Sequence, residues 1–448
     1  MRVVLTCQPI SGHLHPNLAL VRALKARGHE VTVYSGEAAR PLVEREGVAF
    51  VPFQPPVDAH LSQMLLPASG GSSASQLATD LAGLVRVKRF SAVLRAWLLE
   101  TIPGQVEDLT SLVRTFRPDV LVTDPTLLGS VLVLKDILAL PVAVFSVLAA
   151  CTVPGPDAPP WGRGLRPPRT PLTRVRARLE QWAIDLLTSD FRAAANAMRA
   201  RYGLAPLRGR VADEYGRTAL FLVTSTPAFD YHRRDLPPSV RYVGACLWDG
   251  GTMAEAPRWL GDLRRDQPVV HVTEGTIQTR APLVLRAAAA GLSGRPMQVV
   301  MTTGRHRRPE DLDLGPMAPN VRVEQFVPHH HLFAHTDVVV TTGGAGTVTT
   351  ALLAGVPLVV VPTQWELPEN AQRVVESGAG VRIDPWRCTP GRLRRAVDRV
   401  LRNPRFRQNA RRLGAALAAE GGPARAAELL EELAAGRRLA AAATGRVS

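Results

Sequence analysis

Apolar residues in this chain fall into short unbroken runs separated by stretches with helical spacing, and the alternation begins at the first residue. Residues 2–5 read as a strand, 16–27 as an amphipathic helix closed by Gly28, and 31–34 as a second strand, which together make an opening βαβ unit. Residues 120–122 are another wholly apolar run. A second opening of the same kind starts at 269–273, directly after the polar run 264–267. Strands that are apolar throughout belong to parallel sheets with helices on both faces, so the fold class expected is α/β. From 392 to 435 the pattern turns helical, broken at Pro404 and at Gly421-Gly422-Pro423.

The densest signal is residues 337–370, DVVVTTGGAGTVTTALLAGVPLVVVPTQWELPEN. Here 338–340 predict a buried strand, and Gly343, Gly344 and Gly346 allow a tight turn with close backbone approach of a ligand. Thr347 is expected to open a helix whose free N–H groups and positive dipole end favour phosphate oxygens. Gly355 and Pro357 end that helix, and 358–361 form the next strand. A turn of this kind also serves merely to pack a helix closely on a sheet, and spacing alone leaves both readings open.

Length then divides the chain. At 448 residues it is long for one domain, and the turn-rich passage after YVGACLWDGG suggests a boundary. The division expected is 1–250, a linker at 251–268, and 269–448, with a cleft between the two large parts. With 46% hydrophobic and 21% charged residues the chain reads as a globular enzyme. It contains no run of roughly 18 apolar residues and begins directly in a strand, so a cytoplasmic location without a membrane span is expected. Cys7, Cys151, Cys246 and Cys388 lack metal or redox spacing and read as reduced, mostly buried residues. The net charge of +15 would ordinarily raise nucleic acid as a partner. Its arginines are instead scattered among Ala, Gly and Pro, and the clusters at 163–178 and 305–308 lack interleaved aromatics; they read as solvated loops, with no nucleic acid.

Several residues could carry chemistry. His13, in QPISGHLHPN, either caps a helix or acts as a base, since its ordinary pKa lies near neutrality. Asp124 emerges from the C-terminal end of the 120–122 strand, where α/β sheets place their sites; it either orients an imidazole or caps the helix beginning after Pro125. Phe326 is core or a stacking surface. His329, His330, His331 and His335 lack a completing carboxylate or Cys, so no metal is expected. Two irregular segments, 67–75 and 152–171, are the expected rim of a binding site.

Segment 337–370 resembles the donor-binding signature of inverting GT-B glycosyltransferases, the group containing macrolide, antibiotic and plant secondary-metabolite enzymes. That signature runs H-G-G-x-G-S-x-x-E-A, then G-V-P, then P-x-x-x-D/E-Q-x-x-N-A; Gly343, Gly344, Gly346, Ala351, Gly355, Val356, Pro357, Pro362, Glu366, Asn370 and Ala371 fall in register. The turn carrying His13 resembles the family's G-H-x-N-P. The resemblance covers nearly the full chain and implies a GT-B fold, two Rossmann-like domains facing a central cleft, the first for the acceptor and the second for a nucleotide sugar, with the terminal helix crossing back to the first. It implies that His13 is the catalytic base and Asp124 its partner. It also implies that Thr276, Thr342, Gly343, Gly344, Gly346 and Thr347 line the diphosphate, that Phe326 and the Val327 backbone meet the base, and that Glu366 grips the sugar. No cofactor beyond the donor is implied.

Three positions depart from the pattern: Thr342 for His, Thr350 for Glu, and Leu367 for Gln. The loss at Thr350 is familiar among relatives using dTDP-deoxysugars, which favours a dTDP-sugar over a UDP-sugar. Transfer of a deoxysugar with inversion to a hydrophobic natural-product aglycone, such as a polyketide, is the activity expected, and a homodimer is allowed. Two rivals remain: a catalytically silent homologue that activates a partner glycosyltransferase, and a sugar-nucleotide epimerase of the same fold.

Overall fold

The computed structural model describes residues 1–54, 94–149, 152–250, 256–275, 282–305, 307–363 and 365–444. Two separate all-parallel sheets organise them. The first contains β1 (Arg2–Thr6), β2 (Glu30–Ser35), β3 (Ala49–Pro52), β4 (Val120–Thr123), β5 (Val142–Ser146), β6 (Leu220–Val223) and β7 (Val240–Tyr242), in the order β3-β2-β1-β4-β5-β6-β7. The second contains β8 (Val269–Thr273), β9 (Gln298–Thr302), β10 (Val321–Glu324), β11 (Val338–Thr341), β12 (Leu358–Val360) and β13 (Gly380–Arg382), in the order β10-β9-β8-β11-β12-β13. Every residue of β4, β5, β8 and β11 is buried, as strands covered on both faces must be.

Among the described residues, the α-helices of six or more residues are α1 (Ser11–Ala26), α2 (Arg40–Arg45), α3 (Ile102–Phe116), α4 (Pro171–Leu187), α5 (Ser189–Ala200), α6 (Leu283–Leu292), α7 (Ala345–Leu353), α8 (Leu367–Glu376), α9 (Pro390–Arg402), α10 (Pro404–Ala419) and α11 (Gly422–Thr444). Around the second sheet, α6 and α9 cover one face through Leu285, Leu292, Leu393 and Val397, while α7, α8 and α10 cover the other through Val348, Leu352, Val374 and Leu413. The last helix leaves that sheet. Ala426, Ala427 and Leu430 of α11 join Val3, Leu5, Leu18 and Val21 in one core, and Glu431 accepts from Arg27 at 2.6 Å. The two halves of the molecule are thus bound by the chain's own C-terminus.

Two helices begin earlier than their sequence suggests. α1 starts at Ser11 and runs through Pro16, whose missing N–H costs one backbone bond while its fixed φ suits the helix. α7 starts at Ala345 instead of Thr347, because Gly344 enters from an extended backbone without any side-chain cap to mark the boundary. No helix among the described residues is long and apolar enough to cross a membrane.

Candidate active site

In each sheet the strand order reverses once, between β1 and β4 and between β8 and β11, and the crevice past the C-terminal ends at such a switch point is where open α/β sheets bind ligands. His13 and Asp124 lie at the first of these places and the Gly343 turn at the second, while Phe326 and Val327 follow the edge strand β10. β1 and β4 run in register from Val3↔Val120 to Thr6↔Thr123, so the segments beyond them leave the sheet side by side. His13 follows β1 as the third residue of α1, and Asp124 follows β4.

Their side chains meet, with His13 Nδ1 2.6 Å from Asp124 Oδ2. Asp124 is fully buried, and its other oxygen accepts from Thr126 N at 2.8 Å and Thr126 Oγ1 at 2.6 Å. Asp124 therefore orients the imidazole with one oxygen and closes the Pro125–Thr126 turn with the other; it caps no helix, the next one beginning only at Leu128. The imidazole is further held by its own backbone, whose carbonyl accepts from Asn17 Nδ2 at 2.8 Å. With Nδ1 facing a carboxylate, the neutral ring carries its proton there and leaves Nε2 as a base. Burial alone would pull His13 down, but the charge of Asp124, its hydrogen bond and then the charge of Glu366 outweigh that and raise its pKa above 6.5.

Glu366 belongs to the second half of the molecule, just before α8. Burial raises its pKa, and the nearby His13 charge opposes that rise. The two switch points therefore face one another across a shared cleft. Trp365 confirms the proximity, its ring lying 5.7 Å from that of Trp97 in an edge arrangement, and it takes φ of 52°, a left-handed conformation that large side chains seldom adopt.

At the second switch point, Gly343 follows β11 with φ of 99°, and Asn370 Nδ2 from α8 donates to its carbonyl at 2.9 Å. The first backbone bond back into α7 is Val348 N to Gly344 O, and the helix has no side-chain cap. The N–H groups of Ala345, Gly346 and Thr347 thus precede the helix's internal bonding and point out of its positive end. Thr342, expected to line the diphosphate without the donor contact a His would give, has its hydroxyl donating to Glu274 O at 2.9 Å. Glu274 is likewise turned inward, accepting from Val284 N at 2.8 Å and Arg307 Nη2 at 2.8 Å. Thr276 lies outside the described residues.

A Cβ placed on Gly343 would lie 2.7 Å from Val360 Cγ1, whereas one on Gly346 meets nothing within 4 Å. Gly343→Ala is therefore expected to lower stability by about 1–3 kcal/mol, from strain at positive φ and overpacking, while Gly346→Ala stays within about 0.5 kcal/mol. Urea denaturation of both variants checks this, and equal midpoints would show that the turn tolerates a side chain at Gly343.

Phe326 is 41% exposed, and the Arg305 guanidinium lies 3.5 Å from its ring centroid; Val327 beside it is buried. Arg305 also depresses the pKa of His15, after the larger effect of burial, so it reaches the cleft. His15 itself packs on Trp248 with ring centroids 4.9 Å apart. Arg305 and Arg307 are thus not simply solvated: Arg305 covers Phe326 and Arg307 pairs with buried Glu274, partners distant in sequence that no local pattern reveals. In the histidine run, His329 stacks on Phe333 at 4.6 Å, and burial drives it down to about 4.

The 152–171 segment reaches across to the second half. Gly162 N and Gly164 N donate to Glu369 Oε1 at 3.0 and 2.8 Å, and Arg382 Nη1 donates to Gly164 O at 2.9 Å. Behind this strap, Arg373 meets Asp230 Oδ1 at 2.7 Å and Glu369 Oε2 at 3.2 Å, all three being nearly inaccessible. Of the two expected rim segments, 67–75 lies outside the described residues.

Comparison with known proteins agrees with this geometry. Residues 296–433 match the family described as erythromycin biosynthesis protein CIII-like, C-terminal domain. The chain is 38% identical to 4'-demethylrebeccamycin synthase of Lentzea aerocolonigenes over 434 residues, covering 96% of this chain and 99% of that protein. It is 28% identical to demethyllactenocin mycarosyltransferase of Streptomyces fradiae, covering 95% and 85%. Among solved structures, the glycosyltransferase of kitacinnamycin superposes with a TM-score of 0.69 at 25% identity, covering 96% and 98%. The calicheamicin glycosyltransferase CalG4 shares the fold at the same TM-score of 0.69 and 24% identity, covering 97% and 98%. The chain belongs to the GT-B glycosyltransferases of antibiotic and natural-product biosynthesis.

Proposed function

We propose that this glycosyltransferase moves a deoxysugar from a dTDP donor to a hydrophobic natural-product aglycone in one inverting displacement. The observation that carries the reading is the His13–Asp124 pair at 2.6 Å, facing Glu366 and the glycine turn across the cleft. His13 Nε2 takes the proton from the acceptor hydroxyl as its oxygen attacks the anomeric carbon. The bond from that carbon to the diphosphate oxygen breaks on the opposite face, and its electron pair leaves with the diphosphate. The N–H groups of Ala345, Gly346 and Thr347 receive that charge, Glu366 holds sugar hydroxyls, and the base lies against Phe326 and the Val327 backbone. Asp124 stabilises the imidazolium that forms. Nucleotide sugar and aglycone are its small-molecule partners, no nucleic acid takes part, and the cytoplasm is its place.

Two side chains support the donor assignment. Thr350 donates its hydroxyl proton to Gly346 O at 2.8 Å within its own helix, and Leu367 is buried, so neither supplies the polar grip that Glu and Gln would offer. dTDP is expected to bind more tightly than UDP, with productive use of a deoxysugar. Calorimetric titration of both nucleotides decides it: tighter UDP binding together with preferred turnover of UDP-glucose would overturn the donor assignment and leave the base assignment intact.

A further inference from the structure

Leu172, Val175, Leu179, Trp182 and Leu186 form a continuous apolar stripe along α4, each exposed by between 51% for Val175 and 79% for Leu172. Scattered exposed apolar residues need no explanation, but these five are half of the ten large hydrophobics exposed among the described residues. Their spacing alternates three and four, the seam along which one helix packs on another. One flank of the seam already meets the chain's own body, Arg174 pairing with Asp157 and Asp185 with Arg210. No residue of α4 is buried.

The charges beside the seam identify what covers it. Arg176 and Arg178 lie in the first half of the helix, Glu180 and Asp185 in the second. A two-fold interface must be complementary to itself, and an antiparallel pair sets one copy's basic half against the other's acidic half. Such a pair layers Val175 on the partner's Leu186 and Leu179 on the partner's Trp182. Arg178 and Asp185, seven residues apart on one flank of the seam, then face each other across it twice. A parallel pair would oppose like charges instead. Asp185 Oδ1 accepts from Gln181 Nε2 at 2.8 Å and Arg210 Nε at 3.0 Å, while Oδ2 accepts only from Arg210 Nε, at 2.8 Å, and so keeps a lone pair for one further donor.

We propose that this face of α4 pairs with α4 of a second copy of the chain in an antiparallel two-fold dimer. Sedimentation equilibrium of the full-length protein between about 1 and 50 μM is expected to show a dimer. Leu179→Glu should weaken it roughly a hundredfold or more, through two buried leucines per interface, without changing far-ultraviolet circular dichroism. Arg178→Asp should weaken it roughly tenfold, and Arg178→Asp with Asp185→Arg should recover most of that loss. A wild-type protein monomeric at about 50 μM overturns the proposal. So does a dimer indifferent to Leu179→Glu and to both charge reversals. Should Leu179→Glu disturb folding, the charge-reversal pair decides alone.

Discussion

His13→Ala is expected to leave nucleotide binding close to wild type and to lower turnover by about 10²–10⁴-fold, the range of lost general-base catalysis. The imidazole sits on α1 of the first sheet, away from the α7 N-terminus, so removing it does not touch the diphosphate turn. Asp124→Asn should act in the same direction but less, since it weakens the support of the ring without removing it. The raised pKa fixes the sign of the pH dependence. The base works only when neutral, so turnover in wild type should fall as pH drops through a value above 6.5. Stability responds oppositely: a raised histidine pKa contributes stability that is fully present below the unfolded value and is lost as pH rises through the folded one. A turnover profile flat between pH 6 and 8, or near-normal turnover by His13→Ala, would remove His13 from the mechanism.

Arg373→Ala is expected to cost about 3–5 kcal/mol, because it leaves the carboxylates of Asp230 and Glu369 buried without their cation. The damage should extend beyond the site of substitution. Glu369 anchors the strap through Gly162 and Gly164, Asp230 accepts from Tyr242 on the first sheet, and Arg373 lies over the Tyr231 ring at 4.1 Å. Burial pushes the Asp230 carboxyl up, but Arg373 and the bonds from Tyr231 and Tyr242 hold it below 3.8. A depressed carboxylate contributes stability above its unfolded pKa and loses it as pH falls, so this joint should fail in acid below about pH 4. The midpoint of urea denaturation checks the substitution, and a wild-type midpoint would show that the buried ion group does not hold the halves together.

The interior of the fold was legible in the sequence because parallel strands buried on both faces have no polar positions to confuse the pattern: 269–273 reads the same in sequence and structure. The glycine turn was legible for a related reason, since Gly343 alone satisfies both φ of 99° and the approach to Val360. The meeting of His13 with Asp124, 111 residues apart, was expected only through family resemblance, and the parallel register of β1 and β4 supplies its physical cause. Helix starts were less legible. Pro16 signals a first turn but sits inside α1, and Gly344 opens α7 with no polar side chain. The strap was illegible altogether, because the backbone N–H groups of Gly162 and Gly164 carry no sign of a carboxylate about 200 residues away. Arg305 was illegible likewise; its place over Phe326 depends on where β9 and β10 end, not on its neighbours in sequence.

Direct displacement by a hydroxyl that His13 activates is tested most closely by measuring nucleoside diphosphate release and glycoside formation together, with the anomeric configuration of the product read by nuclear magnetic resonance. Wild type should release one diphosphate per glycoside, with configuration inverted relative to the donor, and His13→Ala should lose both signals in proportion. Glycoside of retained configuration, or equal formation by His13→Ala, would contradict the mechanism.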